Sequence, residues 1–246
     1  MPVEMDHEHS AEAIRARLAG ETEGSYLRDW VYGGIDGAVT TFAIVSGVVG
    51  ANFSTSVILV LGAANIVADG FSMAASNYTG TKTEIDEFDR LRAHEERQVE
   101  RDPEGEIREV REIFRAKGFA GKDLDRAVEI ITSNRRLWIN TMLTEEYGLP
   151  MSVRSPMKAA LGTFVAFLLC GLVPLLPFIG GDTVLGRTDA TLLSVVLTAA
   201  TFFGIGSIKA RWSLQSWWRS GLETTAIGLG AAAIAFVIGY ALKGLI

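Results

Sequence analysis

Two groups of residues have the types and spacing to handle a metal cation. The first lies in an apolar stretch, VILVLGAANIVADGFSMAASNY, where Asn65, Asp69, Ser72, Met73 and Ser76 recur every three or four positions. On a helix that spacing makes one face. The opposite side carries Ile58, Leu61, Val67 and Phe71, so a polar stripe would run along an otherwise apolar helix. A polar stripe in lipid should face protein or a water-filled path. Asp36 belongs to the preceding apolar segment, GGIDGAVTTF. A carboxylate at membrane depth costs about 2.5–3.5 kcal/mol, so Asp36 needs either a purpose or a route to the interface at a helix end. Oxygen ligands from Asp36, Asn65 and Asp69 with the Met73 thioether would suit a borderline divalent metal better than an alkali ion. The bland alternative is that the small polar residues simply hold helices together. Gly33, Gly34 and Gly37 flank Asp36 and would let another helix approach closely.

The second group lies in the charged run that follows. Glu95, Glu96 and Glu100 fall on one helical stretch, and Glu106, Glu109 and Glu112 on the next; Met142, Glu145 and Glu146 lie near the end of a later one. The pairs Glu106/Glu109 and Glu109/Glu112 are three apart and can converge on one side. Carboxylates in this number would bind hard or borderline divalent cations. Arg97, Arg101, Arg108 and Arg111 are interleaved, however, and spacing alone favours a salt-bridged, solvated face. His7 and His9, beside Asp6 and Glu8, could bind a metal weakly, but a floppy acidic terminus is the simpler expectation. No zinc finger, phosphate-cradling glycine loop or nucleophilic triad is visible, and the Glu and Glu-x-x-His pairs of di-iron bundles are absent.

The elements that must position these groups are mostly membrane helices. A positive mean hydropathy, 48% apolar residues and 26 glycines among 246 point to a membrane protein. Of the 29 acidic residues, 17 lie between Thr81 and Pro150 and 7 precede Trp30, so the net charge of −6 belongs to the soluble parts. That acidity argues against a nucleic-acid partner. Cys170 is the single cysteine and reads as a small buried hydrophobe. The lead-in, 1–29, is polar, with a short helical stretch after Ser10 as a possible N-cap and no cleavable signal. Five spans of roughly 20 apolar residues follow, at about 30–51, 57–78, 157–179, 190–208 and 221–242. Between the second and third lies a helical insert, interrupted at Pro103 and Gly105 and at Gly118 and Gly121, with a last helix from Lys122 to about Tyr147. The expected organisation is 1–29 lead-in, 30–79 spans one and two, 80–152 acidic helical insert, and 153–246 spans three to five. Arg15, Arg17 and Arg28, the 13 basic residues of the insert, and Lys209, Arg211 and Arg219 all fall on one side, which places the N-terminus and the insert in the cytoplasm.

These residues resemble those of the vacuolar iron transporter family, over about residues 28–244. The marks are DGAVT at Asp36, ADGFSM through Met73, the acidic insert, and LVPLLPF at 172–178. The resemblance implies an all-α membrane protein of five spans with a cytoplasmic metal-binding insert. It implies a homodimer that exports Fe2+, and often Mn2+, from the cytosol in exchange for protons. The ions are substrate and insert ligand; no permanently bound cofactor is expected. On this resemblance Asp36 is the pathway acid, Met73 the pathway methionine, and Asn65 stands where a glutamate is usual. Asp69, one turn later, is the candidate to take over that role. In the insert Glu95, Glu106, Glu109, Glu146 and Met142 match the metal-binding set. Gln98 replaces a further glutamate and Leu143 a second methionine, with Glu96 and Glu100 as possible compensation. The resemblance turns the preference for the insert from a salt-bridged face to a metal site. Glu112, Glu145 and Glu223 are further candidates, Glu223 as a relay or a dimer-packing acid. The alternative function is a metal-binding membrane sensor without coupled transport; a ferroxidase is disfavoured by the missing histidines. The expected membrane is a bacterial inner membrane, with a vacuolar one as the alternative.

Overall fold

The structure, a computed structural model, describes residues 10–19, 25–150, 154–180 and 185–245. His7 and His9 lie outside them. Among the described residues the ordered elements are all helices. They are α1 (Ala11–Ala19), α2 (Leu27–Gly50), α3 (Thr55–Arg101), α4 (Pro103–Ala116), α5 (Gly121–Thr132), α6 (Arg135–Glu145), α7 (Pro156–Leu172), α8 (Arg187–Lys209) and α9 (Trp217–Leu242). Ser10 does cap α1, accepting from the Ala13 amide at 3.2 Å.

α3 is the longest element, 47 residues. At 1.5 Å per residue it extends about 70 Å, more than twice a bilayer's hydrocarbon core of roughly 30 Å. Only its first half is apolar enough to lie in lipid. No proline interrupts it until Pro103, and there Asp102 leaves the helix and caps α4, its carboxylate accepting from the Gly105 amide at 2.9 Å.

The chain divides into two compact units: Ser25–Thr81 with Ser155–Ile246, and Met1–Gly24 with Lys82–Arg154. In the first, five helices are long and apolar enough to cross a membrane: α2, α3, α7 with its 3-10 extension to Phe178, α8 with its extension to Trp212, and α9. Their directions follow from the glycine contacts. Gly33 lies on Thr163 and Gly37 on Phe167, so α2 and α7 run parallel. Gly70 meets Phe167 and Gly62 meets Leu175, so α3 runs antiparallel to α7. Gly206 meets Ser220 and Gly228 meets Phe202, so α8 and α9 are antiparallel. A methyl group at Gly33 or Gly37 would run into the backbone carbonyl of Thr163 or Phe167, so the glycines around Asp36 do provide close approach, to α7. The core joins Phe42, Val45, Ile58, Ile66, Leu175, Phe178 and Phe202.

Three details differ from expectation. The third span changes to a 3-10 helix at Val173–Phe178, because Pro174 and Pro177 offer no amide to an α-helical ladder. Ile58 belongs to the buried core, not to an outward apolar face, whereas Val67 and Phe71 are exposed. The last insert helix is two helices, since Asn134 starts α6 by accepting from the Leu137 amide at 3.1 Å. The insert unit has its own small core of Val110, Leu124, Val128, Trp138 and Met142. These recur at helical spacing on α4, α5 and α6.

Candidate functional site

Along α2 and α3 the structure sets polar residues in succession. Asp36 and Asp69, both half-buried, are close enough to interact electrostatically. About one turn further from the α2 N-terminus, the Asn65 amide donates to Thr40 Oγ1 at 3.4 Å, and Thr40 in turn donates to the Asp36 carbonyl at 2.8 Å. In the other direction Met73, also half-buried, lines a cavity of about 310 Å³ with Arg28, Asp29, Tyr32, Ser72, Ser76, Asn77 and Thr163. Asn65, Asp69 and Met73 are thus strung along one flank of α3, at the border between its packed side and its exposed side, with Asp36 on the neighbouring α2. α3 and α2 are joined there by side chains rather than by close backbone packing.

Sequence reasoning missed the anchor of this arrangement. The Asn77 amide donates to Thr163 Oγ1 at 2.7 Å, to Asp29 Oδ1 at 2.8 Å and to the Ala159 carbonyl at 3.2 Å. One side chain therefore ties α3 to both α2 and α7. Asp29 is 2% exposed, although the expected lead-in included it; α2 begins at Leu27, three residues before the expected start, and takes Asp29 into the fold. The signal was available, because Asn77 is the next member of the series 65, 69, 73.

In the insert unit the structure sorts the acids. Glu96 pairs with Arg92 (3.3 Å), Glu100 with Arg135 (2.6 Å), Glu112 with Arg115 and Glu145 with Lys117. These four are ion-paired, but with cations other than the interleaved Arg97, Arg101, Arg108 and Arg111; Arg108 and Arg111 pair with Asp102 and Asp125 instead. Glu95 and Glu106 differ: they are 2% and 4% exposed, and each keeps one carboxylate oxygen buried without a hydrogen-bond partner. Tyr147, also missed, donates to Glu95 Oε1 at 2.9 Å. Burial, then repulsion from Glu109, Glu95 and Glu146, pushes the Glu106 carboxyl up to about 7 from an ordinary 4.5. Partial desolvation and the charges of Glu95 and Glu109 also push Glu146 up, although its residue stays exposed, against a hydrogen bond from Tyr147. Burial and the adjoining Glu95 raise the Tyr147 phenol in turn.

Glu95, Glu106, Glu109 and Glu146 are therefore electrostatic neighbours drawn from α3, α4 and the end of α6. A divalent cation there would find unpartnered oxygens and relieve the repulsion. Among the described residues no three acidic, histidine or cysteine side chains are already closed into a ligand set, so the glutamates would have to converge on the ion. Gln98 is half-buried and three residues from Glu95, on the same side of α3. Met142 is fully buried in the apolar core, and Leu143 beside it is fully buried as well. Glu223 is exposed in the second turn of α9.

The VIT family model matches residues 27–240. The chain is 35% identical to the vacuolar iron transporter of Toxoplasma gondii, over 90% of this chain and 76% of the relative. It is 32% identical to vacuolar iron transporter 1 of Arabidopsis thaliana, covering 88% and 86%. It is 30% identical to the vacuolar iron transporter of Plasmodium falciparum, covering 88% and 82%. Five apolar helices, the polar file on α2 and α3 and the glutamates between the second and third spans thus coincide with a match over most of the chain: this multi-pass membrane protein belongs to the VIT family.

Proposed function

We propose that this protein moves a divalent transition metal, Fe2+ and also Mn2+, out of the cytosol in exchange for protons. The observation that carries the reading is the file of polar side chains between α2 and α3: Asn65 donates to Thr40 Oγ1, Thr40 to the Asp36 carbonyl, and Asp69 and Met73 follow Asn65 at successive turns of α3. A divalent cation between two carboxylates neutralises both, and a thioether neighbour favours a borderline metal over Ca2+ or Na+. Protons compete for the same oxygens, so protonation from the far side would release the ion. The relatives' names support iron as cargo.

Asn65 has no proton to exchange near neutral pH. It hydrogen-bonds to Thr40 instead, and the exchangeable carboxylate on this flank of α3 is Asp69. The insert glutamates would gather cytosolic metal for two copies of the chain, whose facing α3 helices would complete the path. The insert lies in the cytoplasm in this reading, because Arg28, Lys158, Lys209, Arg211 and Arg219 collect at the end of the spans where the chain leaves for it. The relatives are named for vacuoles, so they lend nothing to a bacterial inner membrane.

The test is flux of Fe2+ and Mn2+ in proteoliposomes, with the lumenal pH followed at the same time. Asp36→Ala should abolish flux. Asp69→Asn should abolish metal-driven proton movement and cut flux by at least about tenfold, since losing even a partner that only orients a metal ligand costs about 10–100-fold. Unchanged proton movement in Asp69→Asn would sink the coupling assignment. Metal binding without any flux would favour the sensor.

A further inference from the structure

The turn between α8 and α9 lies outside the proposed pathway residues, yet it is built for contact. Lys209 to Arg219 carries three basic residues, Lys209, Arg211 and Arg219, and no acid. Among the described residues none of the three forms an ion pair. Trp212, Leu214, Trp217 and Trp218 are all exposed, although each is large and apolar. Two of the rings are nevertheless fixed: Trp217 packs edge-on against Phe203 at 5.9 Å, and the Arg219 guanidinium lies 5.1 Å from the Trp218 ring centre. Beside them is a cavity of about 440 Å³, lined by Ser207, Ile208, Ala210, Arg211 and Trp217. The Ser207 hydroxyl is buried and has no hydrogen-bond partner. No side chain caps the α9 N-terminus at Ser216.

We propose that this turn binds the headgroup of an anionic phospholipid. The lipid phosphate would lie at the mouth of the cavity, held by the Arg211 guanidinium. Lys209 and Arg219 supply surrounding positive charge, and the acyl chains run beside exposed Ile208 and Leu222. The setting favours lipid over a soluble anion or a protein. The apolar parts of α8 and α9 end at this turn, so Lys209–Arg219 lies at headgroup depth. Trp30 and Tyr32, at the start of α2, are exposed at the same end of the unit, which is the distribution of an interfacial aromatic belt. Arginine suits phosphate because its fork donates two parallel hydrogen bonds. The proposal depends on the helices spanning a bilayer but not on what they transport.

The experiment uses the full chain purified in neutral detergent, with phosphatidylglycerol, phosphatidylcholine or inorganic phosphate added. Retained lipid is counted by native mass spectrometry, and the thermal midpoint is followed in parallel. Wild type should retain phosphatidylglycerol and be stabilised by it, but not by phosphatidylcholine or phosphate. The Arg211→Gln/Arg219→Gln pair should lose about 30-fold in affinity, since each basic residue near an anionic headgroup is worth roughly fivefold. Arg211→Lys/Arg219→Lys should recover most of the charge effect, and Lys243→Gln, at the other end of the unit, should change nothing. The paired residues are exposed, so a matching lipid-free midpoint verifies that the variants fold. Equal retention of phosphatidylglycerol by the glutamine pair would overturn the proposal, as would equal stabilisation by phosphatidylcholine or by free phosphate.

Discussion

Glu106 shows how one side chain can couple proton binding to stability and, in the proposed function, to metal as well. Its carboxyl titrates at about 7 rather than 4.5, because it is buried and faces Glu109, Glu95 and Glu146. A carboxyl raised in the folded state favours folding while it stays protonated. That contribution is complete below 4.5 and is lost as pH climbs through about 7. In metal-free buffer Glu106→Gln should therefore raise the thermal midpoint at about pH 8 and leave it unchanged near pH 4. A melting series across pH checks this; a variant no more stable than wild type above neutrality would disprove it. Metal has the opposite demand, since it needs the ionised oxygens. Mn2+ affinity of the wild type should fall as pH drops below about 7, and in Glu106→Gln it should be weaker and less steep in pH. Asp69 belongs to the same scale. It is an electrostatic neighbour of Asp36 on the adjoining helix, which no count of acids in the sequence could show.

At the scale of elements, α2 is the helix that others pack against, and it does so through glycine. Gly33 and Gly37 lie on the backbone of α7, and Gly50 lies on the backbone of α9. In lipid, where apolar surface gains nothing from leaving one hydrocarbon for another, such close approach supplies the packing that holds helices together. Gly37→Leu has no room, because the obstacle is the Phe167 backbone carbonyl rather than a side chain that could turn away. It should destabilise the protein by at least about 1–3 kcal/mol, seen as a lowered thermal midpoint or lost expression. A fully stable, folded Gly37→Leu protein would contradict the packing described. α3 is held differently, by hydrogen bonds from Asn77 and Asn65, by Gly62 and Gly70, and by Ile58 and Ile66 in the core, and its other face is open.

At the scale of the whole molecule, that openness bears on assembly. Ala63, Val67, Ala68, Phe71, Ser72, Ala75 and Ser76 of α3 are all exposed. Serines beside the half-buried Asp69 and Met73 make a poor lipid face, and a second copy of the chain would cover them. In mild detergent, light scattering should give twice the 26.6 kDa chain mass after correction for bound detergent. A monomer that still carries metal would remove the need for a path between copies.

Hydropathy and charge in the sequence determined the five spans, their alternation and the helical insert, because a bilayer leaves the backbone few choices other than a helix of sufficient length. Asp36, Asp69 and Met73 stood out as candidates for the same reason: polar atoms in an apolar run are costly enough to be conspicuous. What the sequence left open was which acids meet. Glu95 and Glu96 are neighbours of one type, yet one is buried against Tyr147 and the other is paired with Arg92 on the surface. Helical spacing assigns a face, but only the packing of α4 and α6 against α3 decides which face is dry. The same holds for Asp29, which looked like one more charge of a polar lead-in. Tertiary structure gave it Asn77, 48 residues away, and with that partner a place inside the membrane unit.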